Sequence, residues 1–286
     1  GTTLVNANLV DHYRIEVIVV LLLIFLAALV LFARWTGLRA LVSFAFTGVV
    51  IWKLLLPAFL AGWPPLLTAF ALVALITAAI VFLVGGLSRR GLTAFLGSIM
   101  GVGATCLLAL VFGSLFRIHG AVRPFAETLL YSGFGHLDLT SIFLAGIFLA
   151  ASGAVMDIGI DIAASMQEVK NKHPEIARVD LIRSGFVVGR AVIGTMTTTL
   201  LLAYSGGYTT MLMVFLAQGT PGINIVNITY VAAEILHTLV GSFGLILVAP
   251  FTALIGGLLI RAETPTRPVV TASKTPAVVS PAQLPS

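Results

Sequence analysis

Asp157, Asp161 and Glu168 recur at helical spacing within and just past a long apolar run, Leu139–Ala164. At about 100° per residue they share one helix face with Gly146, Ala150, Gly153 and Ala164. One stripe is therefore small at one half and acidic at the other, opposite Ile142, Phe148, Leu149, Val155, Ile158 and Ile162. Ionisable groups inside a greasy helix are costly, so they are functional candidates by default. The bland alternative is that Asp161 and Glu168 reach a polar interface, Glu168 beside Lys170 and Lys172.

The next apolar run, Phe186–Tyr204, offers partners. Arg190, Gly194, Thr197 and Thr198 share a face, extended by Tyr204. A carboxylate held between desolvation and an arginine gains and loses a proton with modest movement, which is the chemistry of a proton-coupled carrier. The expectation is that Asp157 or Asp161 lies within reach of Arg190, Thr197 or Thr198. The threonines can equally return their hydroxyls to carbonyls of their own helix. A third set, Glu234, His237, Thr238 and Gly241, shares a face at the start of the last run and reads as an outward mouth or as an interfacial helix start. Gly97 and Gly101 form a GxxxG pattern of helix packing. Close approach of the fifth and sixth runs is expected through Gly146, Ala150 and Gly153.

These residues need long helices to hold them. The chain has 286 residues, 59% hydrophobic and 9% charged. A soluble domain carries about 25% charged residues, so this surface suits lipid, and a soluble enzyme or a nucleic-acid-binding domain is excluded on composition. Seven runs are long enough to span: Val17–Ala33, Ala40–Leu60, Leu66–Val84, Leu92–Phe116, Leu139–Ala164, Phe186–Tyr204 and Val231–Ile260. The first is no signal peptide, because Asp11 and Glu16 precede it and no clear cleavage site follows. Met211–Ala217 is too short to cross, and Gln218–Ile228, rich in Gly, Pro and Asn, reads as non-helical. That segment is expected to re-enter or lie at the interface.

The fold class is therefore all-α: a polytopic transmembrane helix bundle of about seven spans plus one re-entrant or interfacial segment. Residues 1–16 read as an extracytoplasmic stub, 17–260 as the transmembrane domain and 261–286 as a disordered tail rich in Pro, Thr, Ser and Val. With the N-terminus outside, the inner loops hold Arg34, Arg39, Arg89, Arg90, Lys170, Lys172, Arg178, Arg183, Arg261, Arg267 and Lys274. The outer side keeps Arg14, Lys53, Arg117 and Arg123. The bias fits a bacterial cytoplasmic membrane with the C-terminus inside. Partners are the bilayer, an unknown small solute or ion, and a membrane partner protein or a second copy; no nucleic acid is expected. The lone Cys106 excludes an internal disulfide, and no phosphate loop, HExxH, G-x-S-x-G or CxxC occurs. No enzyme activity, cofactor or metal site is expected.

The stretches Ser152–Val169 (SGAVMDIGIDIAASMQEV), Ser184–Gly207 (SGFVVGRAVIGTMTTTLLLAYSGG) and Ala233–Leu259 (AEILHTLVGSFGLILVAPFTALIGGLL) resemble the YibE/F-like family of bacterial membrane proteins. The resemblance covers most of residues 11 to 260 and implies topology more than activity. The last three spans are also similar, more distantly, to SecD/SecF-type and related RND transporters. That second similarity implies proton exchange at Asp157 or Asp161 with Arg190, Thr197 or Thr198 alongside, although the large periplasmic domains of those proteins have no counterpart here. Two functions are carried forward: a proton-coupled secondary transporter or permease, and a non-transporting membrane scaffold or assembly partner.

Overall fold

In lipid every backbone N–H and C=O must find its partner within the protein, and a helix supplies them all from its own segment. The computed structural model describes residues 13–261, and among them there is no strand. The elements are α1 (Ile15–Val50), a π turn (Ile51–Leu55), α2 (Leu56–Leu60), α3 (Pro65–Gly85), α4 (Arg89–Leu115), a 3₁₀ turn (Gly120–Val122), α5 (Ala126–Tyr131), α6 (Leu139–Lys172), α7 (Arg178–Ala217), α8 (Gly222–Asn227) and α9 (Thr229–Leu259). The bundle is all-α, as the composition required. Of the stub expected at residues 1–16 and the tail expected at 261–286, residues 1–12 and 262–286 lie outside the described residues, and Ile15 already opens α1.

α1 joins the first two apolar runs without a gap, yet it is not straight. Arg34 adopts φ 50° and ψ −124°. The rings of Phe25 and Phe44 lie 6.2 Å apart. Nineteen residues of straight helix would separate them by about 28 Å, so the chain reverses at Arg34. Gly37 sits in the crook of this hairpin, where a Cβ would come 2.5 Å from the Leu29 carbonyl oxygen. Six helices among the described residues are long and apolar enough to cross a membrane. Because the first is folded in two, they provide seven apolar arms, matching the runs counted in the sequence.

α6 and α9 cross in the middle of the core. Phe148, Val155, Ile158, Ile162 and Met166 of α6 meet Leu245, Val248, Ala249 and Ala253 of α9, and all are buried. Small residues let the backbones close in where no hydrophobic drive operates between helices. A Cβ on Gly101 would come 2.9 Å from the Cβ of Val248, and one on Gly97 would overlap Thr252. A Cβ on Gly241 would stand 3.4 and 3.5 Å from Leu200 and Ala151, an ordinary contact. α1 packs chiefly on α3, at the edge of the bundle.

Helix ends carry their own signals. Asp138 caps α6 by accepting from Ser141 N at 3.1 Å, and Ser88 caps α4 by accepting from Gly91 N at 3.1 Å. One end of the bundle is tied by Arg89 to the Leu259 carbonyl and by Gln167 to the Arg261 carbonyl. The opposite end is tied by His136 to the Leu60 carbonyl and by the cluster described below.

The segment read as re-entrant is built differently. Met211–Ala217 is the last part of the 40-residue α7, not a separate element, and Gln218–Ile228 contains the short helix α8 rather than being non-helical. Gly219, at φ 67°, ends α7 in the left-handed conformation. The apolar run Phe186–Tyr204 thus underestimates its helix at both ends: polar residues such as Ser205, Thr209 and Thr210 return hydroxyls to carbonyls or tolerate the helix without breaking it.

Candidate functional site

The densest polar cluster gathers at the His136 end of the bundle, where a loop drops one arginine onto the seam between α7 and α9. Gly120 seats that loop. It lies so close to the Leu139 backbone that any Cβ would overlap it, and its N–H donates to Thr140 Oγ1 at 3.1 Å. Three residues later Arg123 points inward. α9 presents Glu234 and His237 one turn apart, and α7 presents Tyr204 and Tyr208 one turn apart.

Arg123 Nη1 pairs with Glu234 Oε1 at 2.5 Å and also donates to the Tyr208 hydroxyl. Its Nη2 donates to His237 Nδ1 at 2.8 Å. Its guanidinium carbon stands 5.3 Å from the ring centre of Phe143, a cation–π contact. The pair is largely withdrawn from solvent, with side-chain exposures of 32% for Arg123 and 14% for Glu234. His237 is only 7% exposed, and its ring stacks on Tyr204 with centroids 4.3 Å apart.

This geometry assigns the histidine tautomer. A guanidinium has donors only, so in the 2.8 Å contact Nδ1 accepts, which puts the ring proton on Nε2; the same Nδ1 stands farther, 3.7 Å, from Glu234 Oε2. That Nε2 is buried without a hydrogen-bond partner, and so is the Tyr204 hydroxyl. Buried polar groups are usually satisfied, so two unpaired ones side by side need an explanation. Three cavities meet the cluster. One, of about 210 Å³, is bordered by Tyr204, Tyr208, Glu234 and Thr238. A second, of about 290 Å³, is bordered by Arg123, Glu127, Tyr208 and Tyr230. The third, of about 560 Å³, is bordered by Arg123, His237, Phe143 and Gly146. Chemically the cluster holds one carboxylate against one cation. A proton on Glu234 cancels the pairing and leaves Arg123 free for another anion.

Of the residues singled out in the sequence, Glu234 and His237 belong to this cluster. In sequence Arg123 is one of the basic residues of an outer loop, with no periodicity to mark it. Tyr208 follows the apolar run, and its spacing of four from Tyr204 is the signal that places both on one face.

The acidic stripe of α6 is arranged otherwise than expected. Asp157, Asp161, Ala150 and Gly153 are exposed, and neither Gly146 nor Gly153 has any atom within 4 Å of a would-be Cβ. The close contact of α6 with α7 is made elsewhere, by Gly185 on Met166 and Gly189 on Ile162. No hydrogen bond or ion pair joins Asp157 or Asp161 to Arg190, Thr197 or Thr198 among the described residues. Thr197 and Thr198 bond the Ile193 and Gly194 carbonyls of their own helix. Arg190 is exposed. It lies 18 residues, five full turns, from Tyr208. Ideal helical periodicity puts it on the same side of α7 as Tyr208, and its neighbour Gly189 packs on Ala249 of α9 and Ile162 of α6. Glu168 is exposed and pairs with Lys172 at 3.0 Å, as its basic neighbours suggested. Among the described residues no three His, Cys, Asp or Glu side chains converge in a way that would hold a metal ion.

No curated protein and no solved structure matches this chain. A family model does: that of the YibE/F-like proteins, over residues 21–262. The chain belongs to the YibE/F-like family.

Proposed function

We propose that this YibE/F-like membrane protein is a permease-like secondary transporter, not an enzyme, and that Arg123, Glu234 and His237 form its coupling site. The supporting observation is the ion pair between Arg123 and Glu234, set among three cavities beside a buried imidazole with an unpaired Nε2. Proton exchange at Glu234 makes and breaks that pair, and the loop carrying Arg123 moves with it. Coupled movement of a charge and a loop is what alternating access to a solute requires. The basic residues Arg89, Arg90, Lys170, Lys172, Arg178 and Arg261 belong to the opposite end, so the positive-inside bias orients the cluster outward, in a bacterial cytoplasmic membrane with the C-terminus inside.

A second reading, a scaffold or assembly partner, draws on the outward stripe of Gly146, Ala150, Gly153, Asp157 and Asp161. Carboxylates at membrane depth that no cation pairs with among the described residues suit contact with another membrane protein or a second copy. The two readings separate in proteoliposomes carrying a pH-sensitive dye. Transport requires proton flux that responds to candidate solutes and is abolished by Glu234→Gln while the melting temperature holds. Flux absent from the unaltered protein, or unchanged in Glu234→Gln, overturns the transporter reading.

A further inference from the structure

Deepening the transporter reading, on which it rests, we propose that the 560 Å³ cavity beside Arg123 and His237 binds an amphipathic monocarboxylate: one anionic head on an apolar body. Eleven residues border this cavity, and only Arg123 and His237 among them have polar side chains. The walls are Leu129, Leu139, Ile142 and Phe143, and Gly146 leaves one side open. A ligand matching such a site has its polarity concentrated at a single point, and the volume suits a small organic molecule.

The character of the head follows from the donors that meet it. Arg123 donates only, and the tautomer fixed by its bond to Nδ1 makes His237 Nε2 a donor as well. That Nε2–H is more than nine-tenths buried and has no partner. A cavity whose one charged lining residue is a donor-only guanidinium calls for an acceptor and rejects an ammonium head. A carboxylate suits the guanidinium fork better than an alcohol, because charge-assisted bonds are the stronger kind.

Charge balance links this ligand to protons. Arg123 is already neutralised by Glu234. An incoming carboxylate that takes over Arg123 brings one negative charge, and Glu234 binds one proton as it leaves. The cluster keeps its net charge, and one anion enters with one proton.

The test uses the full chain in lipid nanodiscs with labelled octanoate as probe. Saturable binding is expected, accompanied by uptake of about one proton per octanoate from a weakly buffered medium. Octylammonium should fail to compete, and octanol should compete at least tenfold more weakly. Gly146→Leu projects a side chain into the cavity without meeting an atom at Cβ, and should weaken binding at least tenfold. Gly153→Leu, equally open but outside the cavity, should leave binding unchanged. Equal binding in the two variants, or competition by octylammonium as strong as by octanoate, overturns the site. The competition series on the unaltered chain decides the matter even if Gly146→Leu does not fold. Saturable octanoate binding without uptake into proteoliposomes overturns transport and leaves the site; solute-driven proton flux without octanoate binding overturns the site and leaves transport.

Discussion

Arg123 Nη2 donates to His237 Nδ1 at 2.8 Å, joining residues 114 positions apart and fixing the imidazole proton on Nε2. His237→Asn keeps an acceptor oxygen near the place of Nδ1, whereas His237→Ala leaves the guanidinium donor unanswered. Both lose the stack on Tyr204. The alanine variant should therefore be less stable than the asparagine variant by about 1–3 kcal/mol, the cost of leaving a partly buried charged donor unpaired. Denaturation midpoints in detergent would show it, and equal midpoints would remove this bond from the stability of the cluster.

Glycine positions that look alike in sequence should respond in opposite ways. Leu at Gly101 has to displace Val248 and Val155, both buried, and overpacking of this kind costs about 1–3 kcal/mol. Leu at Gly153 meets open space and should stay within about 0.5 kcal/mol of the parent. Thermal unfolding of both variants in one detergent ranks them, and a larger loss at Gly153 would mean that its face is packed.

Asp138 gives the chain an acid-sensitive cap. Bonds from the Ser141 hydroxyl and from the Ser141 and Thr140 backbone hold its carboxyl below the ordinary carboxylate range, against a smaller opposing effect of burial. A folded-state value below the unfolded one means that the charged form favours folding. The contribution is complete above the unfolded value, near 3.8, and is lost as pH falls through the lower folded value. Asp138→Asn should melt below the parent at pH 7, and the gap should narrow as the pH falls below the unfolded value near 3.8. A gap that does not narrow at all on acidification would show that the cap acts through shape rather than charge.

Reversal at Arg34 makes a prediction for labelling. In a chain with Cys106 replaced by Ala, a cysteine at Trp35 and one at Trp63 should lie on opposite sides of the membrane, because one arm separates them. Both side chains are well exposed, at 67% and 61%. With the proposed orientation, a membrane-impermeant maleimide added to intact cells should label position 63 and spare position 35. Labelling of both from outside would contradict the hairpin, and labelling of position 35 alone would invert the orientation.

Much of this fold was legible in sequence because run length in lipid is nearly sufficient to count helices. Which face of each helix turns inward was not legible. Periodicity groups Gly146, Ala150, Gly153, Asp157 and Asp161 on one stripe, but lipid is as apolar as a core, so hydrophobicity does not say which stripe is buried. Phe148, Ile158 and Ile162 are the core instead. The same gap hid the partner of Glu234. Arg123 reaches it from a loop with no periodicity, seated by a glycine whose role appears only where Leu139 lies against it. Arg190, by contrast, shared a suitable spacing with its threonines in sequence, yet it and the α6 carboxylates Asp157 and Asp161 all stand exposed.

The turn at Arg34 bears on biogenesis. A single residue joins the two arms of α1, so there is no loop that a translocation channel can pass on its own while one arm waits in the bilayer. The arms are expected to partition into lipid together, as one hairpin, ahead of α3. A defect at the Phe25–Phe44 contact or in the crook at Gly37 is therefore expected to show first as failed insertion of the nascent chain, before any loosening of the finished bundle.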